Sequence, residues 1–342
     1  MNSDIGYLLK PLEQFFGQFS EIRKIPIGNI NESFLVTLQT KGEPIVIQRI
    51  KPGIFNLSAL EANLKKFDVL RRQSEALREI TPFYYKLKGN FIFKFRGNAF
   101  KAAPAIKAAK TVQATSNQEM VFLAAKTLSI FHKEMTKVSA RGFKVVLRNF
   151  FNPKLRLLQL KKAYQNPLQS RKKLFLEKIS PDLECLLSDF KTFIENYPDG
   201  LMFFCCHNDT KLENFLITKK MAYLIDLDCL QPNTLLLDIG DFLRTASFDK
   251  KEDQPYAEPI ILNIKAALEG LKEFGYRNFI PQTLIQVAPA LVSFILAVRF
   301  ATDFLSNDVY FKVKHPLHNL ERAETQLKRA KILLKIKNLF KL

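Results

Sequence analysis

The stretch CHNDTKLENFLITKKMAYLIDLDC, Cys206 to Cys229, constrains this 342-residue chain more than any other. An apolar run, Leu201-Met202-Phe203-Phe204, leads into His207-Asn208-Asp209, and a second run, Met221 to Ile225, ends in Asp226. A short carboxylate on a loop between two apolar runs can be held rigidly enough for chemistry. Asp209 is placed to orient an attacking hydroxyl and accept its proton. Asn214 and Asp226 can hold magnesium against ATP phosphates, because magnesium takes oxygen ligands and keeps several waters. Asp228 lies two residues on, on the same strand face, and either assists or contacts the acceptor. Loop Asp and Asn are common singly. The conjunction is not: His-x-Asp, Asn five residues later, then an apolar strand ending in Asp-x-Asp. It points to phosphoryl transfer.

The rest of the chain suits two lobes. Hydrophobic residues make up 47% and charged residues 25%, a globular composition rather than a disordered one. The net charge of +19 fits anionic ligands such as ATP, and with no RNA- or DNA-binding module visible, no nucleic-acid partner is expected. Cys185, Cys205, Cys206 and Cys229 form no C-x-x-C pair and have no zinc-like spacing to His. Reduced thiols, with an N-terminus unlike a secretory signal, fit a cytoplasmic protein. The longest apolar window, Leu284 to Leu305, contains Pro289, Arg299 and Asp303, so a buried helix is expected there and not a membrane span.

Periodicity predicts an α+β, bilobal chain: a small antiparallel-sheet lobe over residues 1–103 and a larger, mainly helical lobe over 104–342. An opening helix spans 5–19, and strands Ser33 to Thr40 and Pro44 to Ile50 join at Lys41-Gly42. The turn Gly28-Asn29-Ile30-Asn31 either lies over phosphates or is a plain strand turn. The second strand ends in Gln48-Arg49, and alternation puts these two on opposite faces, only one of which meets phosphates. Residues 58–77 are helical; Glu61 either forms a capping box with Ser58 or braces the strand-end cation. Strands are expected at Tyr84–Leu87 and Phe91–Phe95, and Lys101 to Ile106 reads as an interlobe hinge or a simple linker. Helices follow over 118–135, 154–173 (basic, without an acid), 181–197, 260–275, 283–305 and 317–341. His132 reads as a packed or surface residue rather than a catalyst. The basic final helix reads as closing the larger lobe, against the alternative of lying on an anionic membrane surface.

The motifs HNDTKLENFL and LIDLDCLQPNTLLLDIGDFLRT resemble the aminoglycoside-phosphotransferase and choline-kinase superfamily, which has a protein-kinase-like fold. Within it they resemble most the N-acetylhexosamine 1-kinase group, with H-x-D-T-K-x-x-N on His207, Asp209, Thr210, Lys211 and Asn214. Its D-x-G-D-x-x-R falls on Asp238, Gly240, Asp241 and Arg244, and GNINESF, IVIQRIKPGIF and residues 298–328 extend the match over nearly the whole chain. The resemblance implies ATP and magnesium as cofactors and a sugar 1-phosphate as product. It makes Asp209 the base and a sugar contact, Asn214 and Asp226 metal ligands, and Arg299 a sugar contact. Asn29, Asn31, Gln48, Arg49, Glu61 and Lys211 fall on the nucleotide side, and Asp228 beside the acceptor. The bland reading of Arg299 is a salt bridge to Asp303, four residues on.

Departures fall on the hinge and the acceptor side. Phe143 is followed by Lys144-Val145 where the group carries Phe-His-Asp, Phe95-Arg96 stands for Trp-Arg, and Pro232-Asn233 stands for Pro-Gly. The alternatives are the same fold acting on choline, ethanolamine, an aminoglycoside or another hydroxylated acceptor, and an inactive kinase-like binding protein with a basic surface. A cationic acceptor calls for an acid-rich aromatic pocket, and the acceptor-side helices here are basic.

Overall fold

The computed structural model describes residues 9–26, 30–40, 44–112, 114–148, 150–251, 254 and 258–342. The turn at Gly28-Asn29, the Lys41-Gly42 connection and part of the 249–258 loop lie outside them.

A five-stranded antiparallel sheet forms the smaller lobe. Its strands are β1 (Phe19–Ile25), β2 (Glu32–Leu38), β3 (Pro44–Ile50), β4 (Phe93–Phe95) and β5 (Asn98–Pro104), ordered β1-β2-β3-β5-β4. One face carries Phe34, Val36, Ile45, Ile47 and Phe100 into a small core shared with Leu9 and Leu12. The period-two alternation of IVIQRI therefore fixes which β3 side chains turn to the other face. The expected opening helix is only a 3-10 turn, Lys10–Leu12, and one helical turn, Glu13–Phe16. Gly17, at φ 92°, ends it and starts β1. Strand β1 escaped the sequence reading because FSEIRKI alternates poorly: only Phe19 is buried along it. The segment expected as hinge or linker is also sheet as far as Pro104, while Tyr84–Leu87 contributes a single bridge, Leu87 to Asn90.

Helix α1 (Leu57–Gln73) packs Leu60, Leu64 and Phe67 inward. Its N-cap is Asn56, which accepts from Ala59 N, so the Ser58–Glu61 capping box does not form. Ser74 ends α1 and caps α2 (Glu75–Ile80), accepting from Leu77 N at 3.2 Å.

The larger lobe contains α3 (Gln118–Met135), α4 (Pro153–Ala163), α5 (Gln169–Lys178) and α6 (Ser180–Asn196). Then come α7 (Leu235–Ala246), α8 (Ile261–Leu271), α9 (Gln282–Leu305) and α10 (His318–Lys335). Short strands β6 (Lys110–Thr111), β8 (Phe215–Ile217) and β9 (Ala222–Leu224) form one sheet, and β7 (Phe204–Cys206) pairs with β10 (Gln231–Asn233). Helix α9 is long and apolar enough to cross a membrane, yet Leu291, Phe294, Ile295 and their neighbours are buried under α7, α10 and α4. Gly240 lets α7 lie directly on it: a Cβ there would stand 2.7 Å from the Ala288 carbonyl oxygen and 2.8 Å from a Val292 methyl. Helix α10 closes this lobe with Arg322 and Arg329 buried, and Lys331 pairs with Asp182 of α6.

Candidate active site

A cleft between the lobes is lined by Asn31, Gln48, Lys101, Asp209, Lys211, Asn214, Asp226, Asp228 and Arg299. Eight of these were expected from the sequence; Lys101 was not. Asn29 lies outside the described residues.

The loop that carries Asp209 hangs from one buried carboxylate. Asp238, at the start of α7 and fully buried, accepts from His207 N (2.9 Å) and Asn208 N (2.8 Å). His132 Nε2 adds a third bond at 3.0 Å, and Thr210 Oγ1 donates to the Asp238 carbonyl at 2.5 Å. His132 is thus packed, as expected, bonded on its other side to the Tyr276 hydroxyl at 2.8 Å. Burial, with the Asp238 charge adding to it, pushes that phenol well above its ordinary range. Asn208 takes φ 65°, a left-handed conformation that Asn tolerates, while its Nδ2 donates to the Cys206 and Cys229 carbonyls. Asp209 N donates to His207 Nδ1 at 3.2 Å, so in the neutral ring Nε2 is left to donate to Ile225 O, 2.8 Å away. The two apolar runs are in this way stitched into one platform.

On that platform Asn214 Nδ2 donates to Asp209 Oδ2 (2.8 Å) and to its carbonyl (2.6 Å). These bonds orient the amide and leave its Oδ1 as the oxygen a cation can use. Ile225 N donates to Asn214 O at 2.9 Å, which brings Asp226 beside it on the cleft wall. Asp226 has φ 62°, ψ 59°, an uncommon conformation for a non-glycine residue, and such residues cluster at functional sites. Among the described residues no three His, Cys, Asp or Glu form a metal cage. One carboxylate and one oriented amide oxygen instead suit magnesium shared with phosphates.

The nucleotide side differs from expectation. Gln48 and Lys101 face each other across the β3–β5 ladder and both line the cleft. Arg49 turns away, bonded to Asn98 Oδ1 (2.9 Å) and Glu32 Oε2 (3.1 Å). Glu61 does not brace a cation in the cleft. It accepts from Phe91 N and Ile92 N, at 3.1 and 2.8 Å, and pairs with Lys65. The buried cation is Lys101, 2% exposed, whose Nζ bonds Asp228 Oδ1 and lies 3.5 Å from Asp226 Oδ1. Burial works against the ammonium, but the Asp228 carboxylate, Tyr84 and Asp226 outweigh it and hold Lys101 protonated. Burial likewise pushes Asp228 up, to about 6, against the pull of Lys101. Asn31 Nδ2 donates to Asp228 Oδ2 at 2.7 Å. Both Asp228 carboxylate oxygens are therefore engaged, one by Lys101 and one by Asn31. The signal for Lys101 was a lone Lys in the apolar run Ala99 to Pro104; a buried Lys needs an acid partner. Lys211 Nζ stands 3.3 Å from Asp209 Oδ2 and 2.8 Å from Glu213 Oε1.

At the opposite end, Arg299 of α9 is 5% exposed and lies over the Phe150 ring at 4.4 Å, with Phe311 at 5.4 Å. Its Nη2 has no hydrogen-bond partner among the described residues. Asp303 does not pair with it, being engaged by Tyr310 N (2.8 Å), Phe311 N (2.9 Å) and Asn319 Nδ2 (2.9 Å). Asp241 and Arg244 of α7 also line this end and pair with each other at 2.7 Å. Sequence reading placed both in a motif without a role. From the 141–151 segment, Phe150 and Phe151 reach the cleft; Lys144 to Leu147 are tied by their backbone to Asn63 and Gln231.

No family model matches the chain. Among solved structures it is similar to spectinomycin phosphotransferase APH(9)-Ia in complex with ADP and spectinomycin (TM-score 0.66, 15% identity, 96% of this chain and 97% of that one). It is also similar to a choline/ethanolamine kinase family protein from Mesorhizobium loti (TM-score 0.60, 14% identity, 99% and 98% covered). Amicoumacin kinase hAmiN, in complex with AMP-PNP, Ca2+ and Ami, matches at TM-score 0.60 and 12% identity over 96% and 94%. The chain thus has the bilobal kinase-like fold of these proteins over essentially its full length.

Proposed function

We propose that this chain is an ATP- and magnesium-dependent phosphotransferase that acts on a hydroxyl of a small molecule, with the anomeric hydroxyl of an N-acetylhexosamine or related sugar as the acceptor. The observation that carries the reading is the convergence of Asp209, Asn214 and Asp226 on one cleft, with the loop that carries Asp209 suspended from buried Asp238. Solved neighbours with nucleotide bound in the same fold support it. The division at residues 103 and 104, and work in the cytoplasm, belong to the same proposal.

Phosphoryl transfer asks the protein for little covalent chemistry, so positioning and charge do most of the work. The Asp209 carboxylate takes the proton of the acceptor hydroxyl as that oxygen attacks the γ-phosphorus, while the bond from the γ-phosphorus to the bridging β-phosphate oxygen breaks and ADP leaves. Asn214, donating to the same carboxylate, keeps it aimed. Lys211, beside both Asp209 and Glu213, faces the transferring group. Magnesium, when bound, would be held by Asp226 and Asn214 Oδ1 and would spread phosphate charge. Arg299 is the acceptor contact: a buried guanidinium stacked on Phe150, with a free N–H, is stabilised by an acceptor oxygen. A sugar oxygen suits it, and a quaternary or primary ammonium does not. The grouping with N-acetylhexosamine 1-kinases rests on sequence motifs.

The test is an ATP-consumption screen over free hexoses, N-acetylhexosamines, uronic acids and amino-alcohols, with Asp209→Asn as the blank. Turnover on a reducing sugar, lost when its anomeric hydroxyl is blocked, is expected. No turnover above the blank on any sugar would refute the reading, and turnover on amino-alcohols alone would transfer the fold to that acceptor class.

A further inference from the structure

The ion pair that kinase-like sites use to grip nucleotide phosphates joins a Lys on the third strand to a Glu on the following helix. Neither member stands at its usual place here. The cleft-facing residue of β3 is neutral Gln48, and its cationic neighbour Arg49 faces Glu32 and Asn98. Glu61 of α1 is bonded to the backbone amides of Phe91 and Ile92.

A substitute pair lies one strand over. Lys101 of β5 stands directly across the ladder from Gln48. Opposite residues on one face of an antiparallel pair have their Cβ atoms about 5 Å apart, so a cation on either strand serves the same part of the cleft. Its acid is Asp228, bonded through Oδ1 to Lys101 Nζ and through Oδ2 to Asn31 Nδ2 at 2.7 Å. The Tyr84 ring lies 5.0 Å from the ammonium and walls it in. Removing one partner of a buried ion pair is strongly destabilising, because the other charge is left uncompensated. A buried pair kept in the interlobe cleft, 3.5 Å from Asp226, calls for a use there.

We propose that Lys101 is the cation that receives the inner phosphates of the nucleotide, and that Asp228 is the positioning acid that holds it, so that the strand–helix ion pair of this fold has moved to β5 and the loop after β9. This rests on the phosphotransferase reading above. It assigns Asp228 to Lys101 rather than to the acceptor, and it explains how β3 can carry a glutamine.

The experiment measures binding of ATP, ADP and adenosine, with magnesium, by titration calorimetry on the full chain. The variants are Lys101→Met, Lys101→Met/Asp228→Asn, and Lys101→Met/Gln48→Lys. Loss of one charge-assisted contact predicts about ten- to hundredfold weaker ATP and ADP binding in Lys101→Met. Adenosine affinity stays at the wild-type value. The Lys101→Met/Asp228→Asn variant removes the stranded carboxylate and supplies the same comparison if the single variant does not fold. Returning a lysine to the facing position, in Lys101→Met/Gln48→Lys, restores most of the loss, which a purely structural role for Lys101 does not predict. Wild-type ATP affinity in a folded variant lacking Lys101, or equal loss of adenosine and ATP binding without rescue, would overturn the assignment while leaving the phosphotransferase reading intact. Failure of the wild-type chain to bind ATP at all would instead sink both.

Discussion

Replacing Asp238 by Asn tests whether one buried carboxylate holds the loop that carries Asp209. Its Oδ2 accepts from His207 N and His132 Nε2 and its Oδ1 from Asn208 N, all within 3.0 Å. An amide keeps one acceptor oxygen and turns an NH2 group toward a donor. At least one bond to a charged acceptor is lost, worth about 1.5–3 kcal/mol, and a buried N–H is left facing another donor. The expected loss of stability is about 3–5 kcal/mol, the range for breaking a buried charge network. Asp238 is fully buried and does not line the cleft, so its effect on turnover passes through Asp209. A displacement of that loop by about 1 Å is enough for about a hundredfold fall. Urea unfolding followed by fluorescence gives the first quantity, and ADP release under saturating ATP gives the second. Asp209→Asn is the contrast: turnover falls by about 10²–10⁴-fold, with little change in the unfolding midpoint. If Asp238→Asn stays within about 0.5 kcal/mol of wild type and turns over normally, the suspension of the loop from α7 is wrong.

Other substitutions separate further parts of the account. Gly240→Ala forces a methyl against the Ala288 carbonyl and Val292, so stability falls by about 1–3 kcal/mol, read from the same urea curves. Arg299→Met raises the acceptor KM at least about tenfold while ATP affinity is unchanged; a parallel loss of ATP binding would place Arg299 elsewhere in the mechanism. In Glu32, the hydrogen bond from Lys24, with the charges of Lys24 and Arg49, depresses the carboxyl below its ordinary 4.5. Its stabilisation is therefore present above pH 4.5 and is lost as pH falls through the lowered value. Glu32→Gln should flatten that acid limb slightly, and added salt should shrink the difference, because its partner Lys24 is half exposed and the pair lies at the surface.

Much of the molecule was legible from local pattern. Long helices such as α3, α6 and α9 announce themselves by apolar spacing, and β3 by strict alternation, because the same periodicity that buries a face is written along the chain. Strand β1 was not legible, since a strand with one buried residue carries little periodic signal. The strand character of 101–104 was not legible for a related reason: small residues in a paired strand look like a linker, although Ala103, Pro104 and Ile106 do line the interlobe cleft. Glu61 and Ser58 matched a capping pattern, yet Asn56 took the cap and two amides took the carboxylate.

The sequence by itself picked out Asp209, Asn214 and Asp226, which line one cleft in the structure, because their spacing along one loop and one short hairpin is local. It also determined the apolar runs that make that loop rigid. Only the tertiary structure decided between Gln48 and Arg49, freed Arg299 from Asp303, and joined Lys101 to Asp228 across 127 residues. Those outcomes depend on strand register and on which donors reach a carboxylate first. Both are set by packing between distant segments, where burial makes every unpaired charge costly and no local pattern records the partner.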